Sequence, residues 1–110
     1  MSGELIVKRG DTWVWTFVYR DSTGTPMDLS GSSVRMHARS AKGTLVIQVS
    51  DGSGIVIDPL EGEATVRIEP IETQLIGPGK YDADIEVTWS DGTVQSSATF
   101  IIQVLADITI

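Results

Sequence analysis

The chain is dominated by an apolar–polar alternation of period two. Residues 12–20, TWVWTFVYR, place Trp13, Trp15, Phe17 and Tyr19 on one side and Thr12, Val14, Thr16 and Val18 on the other. Residues 33–40 set Val34, Met36 and Ala38 against Arg35, His37 and Arg39. Residues 80–89 set Tyr81, Ala83, Ile85, Val87 and Trp89 against Asp82, Asp84, Glu86 and Thr88. Shorter runs of the same kind occupy 44–50, 55–58 and 63–69, and residues 93–110 alternate through Phe100, Ile102 and Val104. Period two, with β-branched and aromatic residues on one side, is the signature of half-buried strands.

Turn residues separate these runs. Arg9-Gly10-Asp11 divides a first short strand, GELIVK, from the aromatic one, and DSTGTPMDLSG (21–31) is a Gly/Pro/Ser loop. DGSG (51–54), LEGE (60–63) and GPG (77–79) are further breaks, and Asp91-Gly92 predicts a two-residue hairpin turn. PIETQLIG (70–77) has room for one helical turn before Gly77 and Pro78 stop it. Short strands at roughly ten-residue spacing predict one domain over residues 1–110. The expected form is an all-β, antiparallel immunoglobulin-like sandwich of seven to eight strands without a disulfide, with a partly open barrel as the alternative.

Composition narrows the chemistry. The chain has 110 residues, 41% of them hydrophobic, enough to bury a core. It has no cysteine, which excludes disulfides, thiolate nucleophiles and zinc–thiolate sites. The formal net charge of −7, with scattered basic residues, opposes binding to nucleic acid or an anionic membrane. MSGELIVKRGD lacks the long apolar run of a signal peptide, so folding in the cytosol is expected.

The three carboxylates of the 80–89 strand pose the main question. Residues two apart on a strand share a side and stand ~7 Å apart. Asp82, Asp84 and Glu86 therefore form a row, while Ca²⁺ needs six to eight oxygens converging at ~2.4 Å. A straight strand spreads its carboxylates along a line. No metal and no cofactor is expected. Arg35, His37 and Arg39 form a row of opposite sign, and the third and sixth strands of immunoglobulin-like sheets are neighbours. The two rows are expected to pair across strands at ~0.2–1 kcal/mol per pair, mainly specifying register. His37 is the single histidine, and no catalytic constellation or phosphate-cradling motif accompanies it. No enzymatic activity is expected. The aromatic side of 12–20 is read mainly as core, with Trp13, nearest the end of its strand, as the aromatic expected to be exposed if one is; an exposed Trp13 or Trp89 would make a sugar-stacking platform, one binding alternative.

The order of several weak motifs is more specific than any one of them. Arg9-Gly10-Asp11-Thr12 leads the aromatic strand, and Asp21 to Gly31 forms the loop. Gly79-Lys80-Tyr81 opens the acidic strand, Trp89-Ser90-Asp91-Gly92 makes a hairpin, and Ile108-Thr109 closes the chain. In this order the sequence resembles the immunoglobulin-like domain of tailed-phage structural proteins, such as the N-terminal domain of baseplate upper proteins and related short prophage tail-module proteins. The resemblance implies a non-enzymatic virion component of a tail or baseplate, assembled in the bacterial cytoplasm. It would bind other virion proteins and form homo-oligomers or symmetric multi-copy assemblies. Capsid decoration, head-fibre duty and carbohydrate binding are the alternatives. Short apolar ends can add to a neighbour's sheet, so Leu5, Ile6, Val7, Ile108, Thr109 and Ile110 are the expected assembly residues.

Overall fold

A computed structural model describes residues 4–106. The predicted interface residues Ile108, Thr109 and Ile110 lie outside the described residues. The described chain is all-β apart from one helical turn. The strands are β1 (Glu4–Lys8), β2 (Trp13–Val18), β3 (Ser33–Arg39), β4 (Leu45–Asp51), β5 (Gly54–Asp58), β6 (Glu63–Ile68), β7 (Gly79–Thr88), β8 (Val94–Ser96) and β9 (Phe100–Leu105); α1 (Pro70–Thr73) falls between β6 and β7. They form a single path, β1-β9-β7-β3-β4-β5-β6-β2, with β8 attached to β7. The path folds over on itself, so that Phe17 of β2 meets Phe100 of β9 across the interior with ring centres 5.8 Å apart.

This corrects the expectation of a purely antiparallel sandwich of seven to eight strands. There are nine strands among the described residues, and two pairings are parallel: β1 with β9, and β4 with β5. The sheet is mixed and approaches a barrel. The first parallel pair joins the two ends of the chain, a non-local contact that leaves no mark on either strand's own alternation. The second is a corner two residues long, where Ser50 and Asp51 lie beside Gly54 and Ile55. Two glycines in the left-handed region make that corner, Gly52 at φ 81° and Gly54 at φ 99°. A Cβ on Gly54 would sit 2.7 Å from Val49 Cγ1. The chain thus turns from β4 into β5 within a few residues, without a long loop.

The alternation directs one side of each strand into a single core. Val34, Met36 and Ala38 of β3 enter it with Ala83, Ile85 and Val87 of β7, Val66 and Ile68 of β6, and Ile102 and Val104 of β9. Their partners in the alternation face outward. Full burial of an aliphatic side chain stabilises by ~1.5–3 kcal/mol, so these residues carry the fold.

α1 and the turn at residues 9–12 close one end. Thr73 is fully buried, and its hydroxyl donates to the Asp11 carbonyl at 2.7 Å. Trp13 lies beneath this cover at 2% exposure, with its indole N–H donating to the Lys8 carbonyl at 2.8 Å. The expectation that Trp13 is exposed is therefore wrong. Position near a strand end does not expose a ring when a neighbouring turn supplies both cover and an acceptor. Trp13 cannot serve as a sugar-stacking platform. At the other end Tyr19 and Trp89 meet edge to face at 6.1 Å, and burial raises the Tyr19 phenol above its ordinary value.

The hairpin after β7 also differs from expectation. The Trp89 N–H donates to the Thr93 carbonyl and the Gly92 N–H to the Trp89 carbonyl, enclosing three loop residues instead of two. Gly92, at φ 91°, takes the left-handed position, as a three-residue hairpin requires. Beyond it the predicted 93–110 strand is broken at residues 97–99. Ser97 bridges the break, its N–H donating to the Ile85 carbonyl at 2.9 Å and its Oγ accepting from the Ile85 N–H at 3.1 Å.

Candidate functional site

The outer side of β3 and β7 gathers most of the residues singled out by the sequence. The strands are antiparallel neighbours, with Arg35 opposite Glu86, His37 opposite Asp84, and Arg39 opposite Asp82. This register places a basic row beside an acidic row. It follows from burial, because a one-residue slip would turn Met36 and Ile85 to solvent.

Register alone does not close the pairs. Arg35 joins Glu86 through Nη2 at 2.6 Å and Nε at 2.8 Å, and Ser96 Oγ lies 3.4 Å from the other oxygen of that carboxylate. Arg39 turns away and donates to the Gly43 carbonyl at 3.1 Å. Among the described residues no ion pair joins Arg39 to Asp82 or His37 to Asp84. One charge pair is closed, Arg39 is bonded to a neutral carbonyl, and His37, Asp82 and Asp84 have no such bond among the described residues.

That surface forms a shallow trough of about 510 Å³. Its floor is the two rows; Ser40, Ala41 and Gly43 of the β3–β4 turn form one rim, and Thr99, in the break between β8 and β9, contributes another. Sequence reading missed these rim residues. The available signal was Ser40-Ala41-Lys42-Gly43, a turn in which Gly43 takes φ 85° and Ser40 bonds back to Thr44 through both backbone and side chain. The neighbouring strands extend the face. Leu45 of β4 lies beside Arg39, and Ile101 of β9 lies beside Asp82. Leu45 is 37% exposed and Ile101 is half-buried.

Among the described residues no group of three His, Asp or Glu side chains is placed to hold a metal ion. Three carboxylates in loops have depressed pKa. Asp21 is held below its ordinary value first by the Thr23 hydroxyl, Asp28 by the Ser30 hydroxyl, and Asp91 by the Thr93 N–H. These are Asx-type turn locks.

The expected assembly strip at the N-terminal strand divides by side. Leu5 and Val7 pack partly against the core, while Ile6 faces outward at 60% exposure. Among the described residues β1 pairs only with β9, so its other side is a sheet edge there.

No family model matches the chain and no curated protein matches it. Among solved structures it is similar to CopC from Methylosinus trichosporium OB3b, at 16% identity and a TM-score of 0.49, over 88% of this chain and 79% of that one. The reading as a phage tail or baseplate component, with capsid decoration or head-fibre duty behind it, is corrected here. The likeness found is to CopC, and neither a family model nor a curated protein supports a virion role. At this similarity the likeness supplies no ligand and no activity.

Proposed function

We propose that the protein is a non-enzymatic interaction module of immunoglobulin-like strand order that recognises a protein partner through the outer face of β3 and β7. The order β9-β7-β3-β4 in one layer, with β5-β6-β2 in the other, supports the fold reading, since it corresponds to strands G-F-C-C′ against D-E-B. The observation that carries the functional reading is the state of the charged rows. Six ionisable side chains stand in register, yet only Arg35 and Glu86 consume each other's charge. Among the described residues His37, Asp82 and Asp84 have no ion-pair partner and Arg39 is held only by the neutral Gly43 carbonyl, so all four charges are left for a partner bearing both signs of charge. Electrostatic complementarity of that kind sets specificity and association rate more than affinity. The shallowness of the trough and the isolation of His37 between two arginines speak against enclosed acid–base chemistry.

Selection from a random peptide display library on the purified protein tests this. Enriched peptides are expected to carry mixed charge and to bind Asp82→Lys/Asp84→Lys at least ~10-fold more weakly than the parent chain, a loss of ~1.4 kcal/mol. Peptides that bind that variant and the parent equally would overturn the reading.

A further inference from the structure

The two rows have a symmetry that identifies a partner. We propose that the β3–β7 face docks on the same face of a second copy, with the two-fold axis parallel to the strands and midway between β3 and β7. This rests on the reading of that face as a docking surface and names its occupant.

The geometry follows from the register. Rotation about such an axis lays β3 of one copy over β7 of the other and leaves the height along the strands unchanged. Arg35 then faces the second copy's Glu86, His37 its Asp84, and Arg39 its Asp82, because each pair already shares a height within one chain. The same rotation lays β4 over β9. Leu45 is level with Arg39, Arg39 with Asp82, and Asp82 with Ile101, so Leu45 of each copy faces Ile101 of the other. Opposite charges and apolar residues are matched by a single operation. The competing two-fold, perpendicular to the strands, lays β3 over β3 and sets Arg35 against Arg39. It is disfavoured by like-charge contact. An isologous interface must be complementary to itself, and of the two in-plane axes only the first makes it so.

Charge magnitudes indicate what to expect. The net charge of −7 per chain makes the copies repel at long range. The attraction is local and lies within the Debye length of ~10 Å at 0.1 M salt. Salt therefore screens the long-range repulsion and the opposed rows together. Reversing one row turns the opposed local contacts into like-charged ones and so weakens docking.

Sedimentation velocity on the full chain tests the proposal with two row variants. Arg35→Glu/His37→Glu/Arg39→Glu makes both rows acidic, and Asp82→Lys/Asp84→Lys/Glu86→Lys makes both basic. The parent is expected to dimerise with concentration, each variant alone to stay monomeric, and an equimolar mixture to recover a heterodimer. Leu45→Glu, a single change at an exposed position, is expected to weaken the parent dimer at least ~10-fold, and circular dichroism checks that every variant is folded. A parent that is monomeric up to ~1 mM would overturn the second copy as occupant. So would a mixture that fails to associate. In either case, peptides selected on the parent that still lose binding to Asp82→Lys/Asp84→Lys would leave the docking surface standing with a different partner. Peptides indifferent to that change would remove both readings.

Discussion

Two regions of the molecule use backbone and charge in opposite ways. Where the chain after β2 passes the β5–β6 turn, backbone meets backbone with no room to spare. A Cβ on Gly62 would stand 2.6 Å from the Tyr19 carbonyl oxygen and 2.8 Å from that of Met27, and the Gly62 carbonyl accepts from the Tyr19 N–H at 2.7 Å. On the β3–β7 face the side chains have space, and among the described residues three of the six charged or titratable groups, His37, Asp82 and Asp84, have no side-chain bond. The closed junction accepts one residue type. The open face accepts many as far as folding is concerned, so its regular charge pattern calls for an explanation outside folding.

Substitutions can break that contrast, beginning with the most severe. Gly62→Ala forces a left-handed alanine at φ 64° against two carbonyl oxygens and is expected to lose ~4 kcal/mol in urea unfolding, near the upper end of single-residue effects. Ile102→Ala removes a fully buried side chain from the centre of β9 and is expected to cost ~3 kcal/mol by the same measurement. Thr73→Val keeps the shape of α1 but leaves the Asp11 carbonyl without its donor, for an expected loss of ~1–2 kcal/mol. Arg35→Ala breaks the one closed pair of the charged rows, yet Arg35 is exposed, so a loss below ~1 kcal/mol is expected. A loss for Arg35→Ala comparable with Ile102→Ala would erase the distinction between the two regions.

Acid sharpens the comparison further. The folded-state pKa values of Asp21, Asp28 and Asp91 are depressed by hydrogen bonds to their loop neighbours. A depressed carboxylate binds protons more weakly when folded than when unfolded. Its contribution is complete above the ordinary value of 3.8 and is lost as pH falls through the lower folded value. Thermal midpoints are expected to hold steady from neutral pH to about 5 and to fall below 4, and Asp21→Asn is expected to flatten that fall. A decline beginning near pH 6 would implicate other groups.

Much of this architecture was legible in the alternation because period two assigns sides. Val34, Met36, Ala38, Ala83, Ile85 and Val87 were readable as core, and their neighbours as two charged rows on adjacent strands. The features that were not legible depend on contacts between distant parts of the chain. The parallel pairing of Glu4–Lys8 with residues 101–105 has no local signature. Trp13 was misjudged because its cover comes from Thr73 and the 9–12 turn. Leu45 and Ile101 belong to different strands, and only the register shows that they share a height with Arg39 and Asp82. The DG pair announced a hairpin correctly, while the loop length was settled by which strand residues paired.

The most direct test is urea unfolding of a chain in which Arg35, His37, Arg39, Asp82, Asp84 and Glu86 are all replaced by threonine, a residue that suits exposed strands. If the rows serve recognition and not folding, stability should stay within ~2 kcal/mol of the parent, the sum of weak exposed pairs. A loss equal to or greater than that of Ile102→Ala would contradict the account and make the charged face part of what holds the fold together.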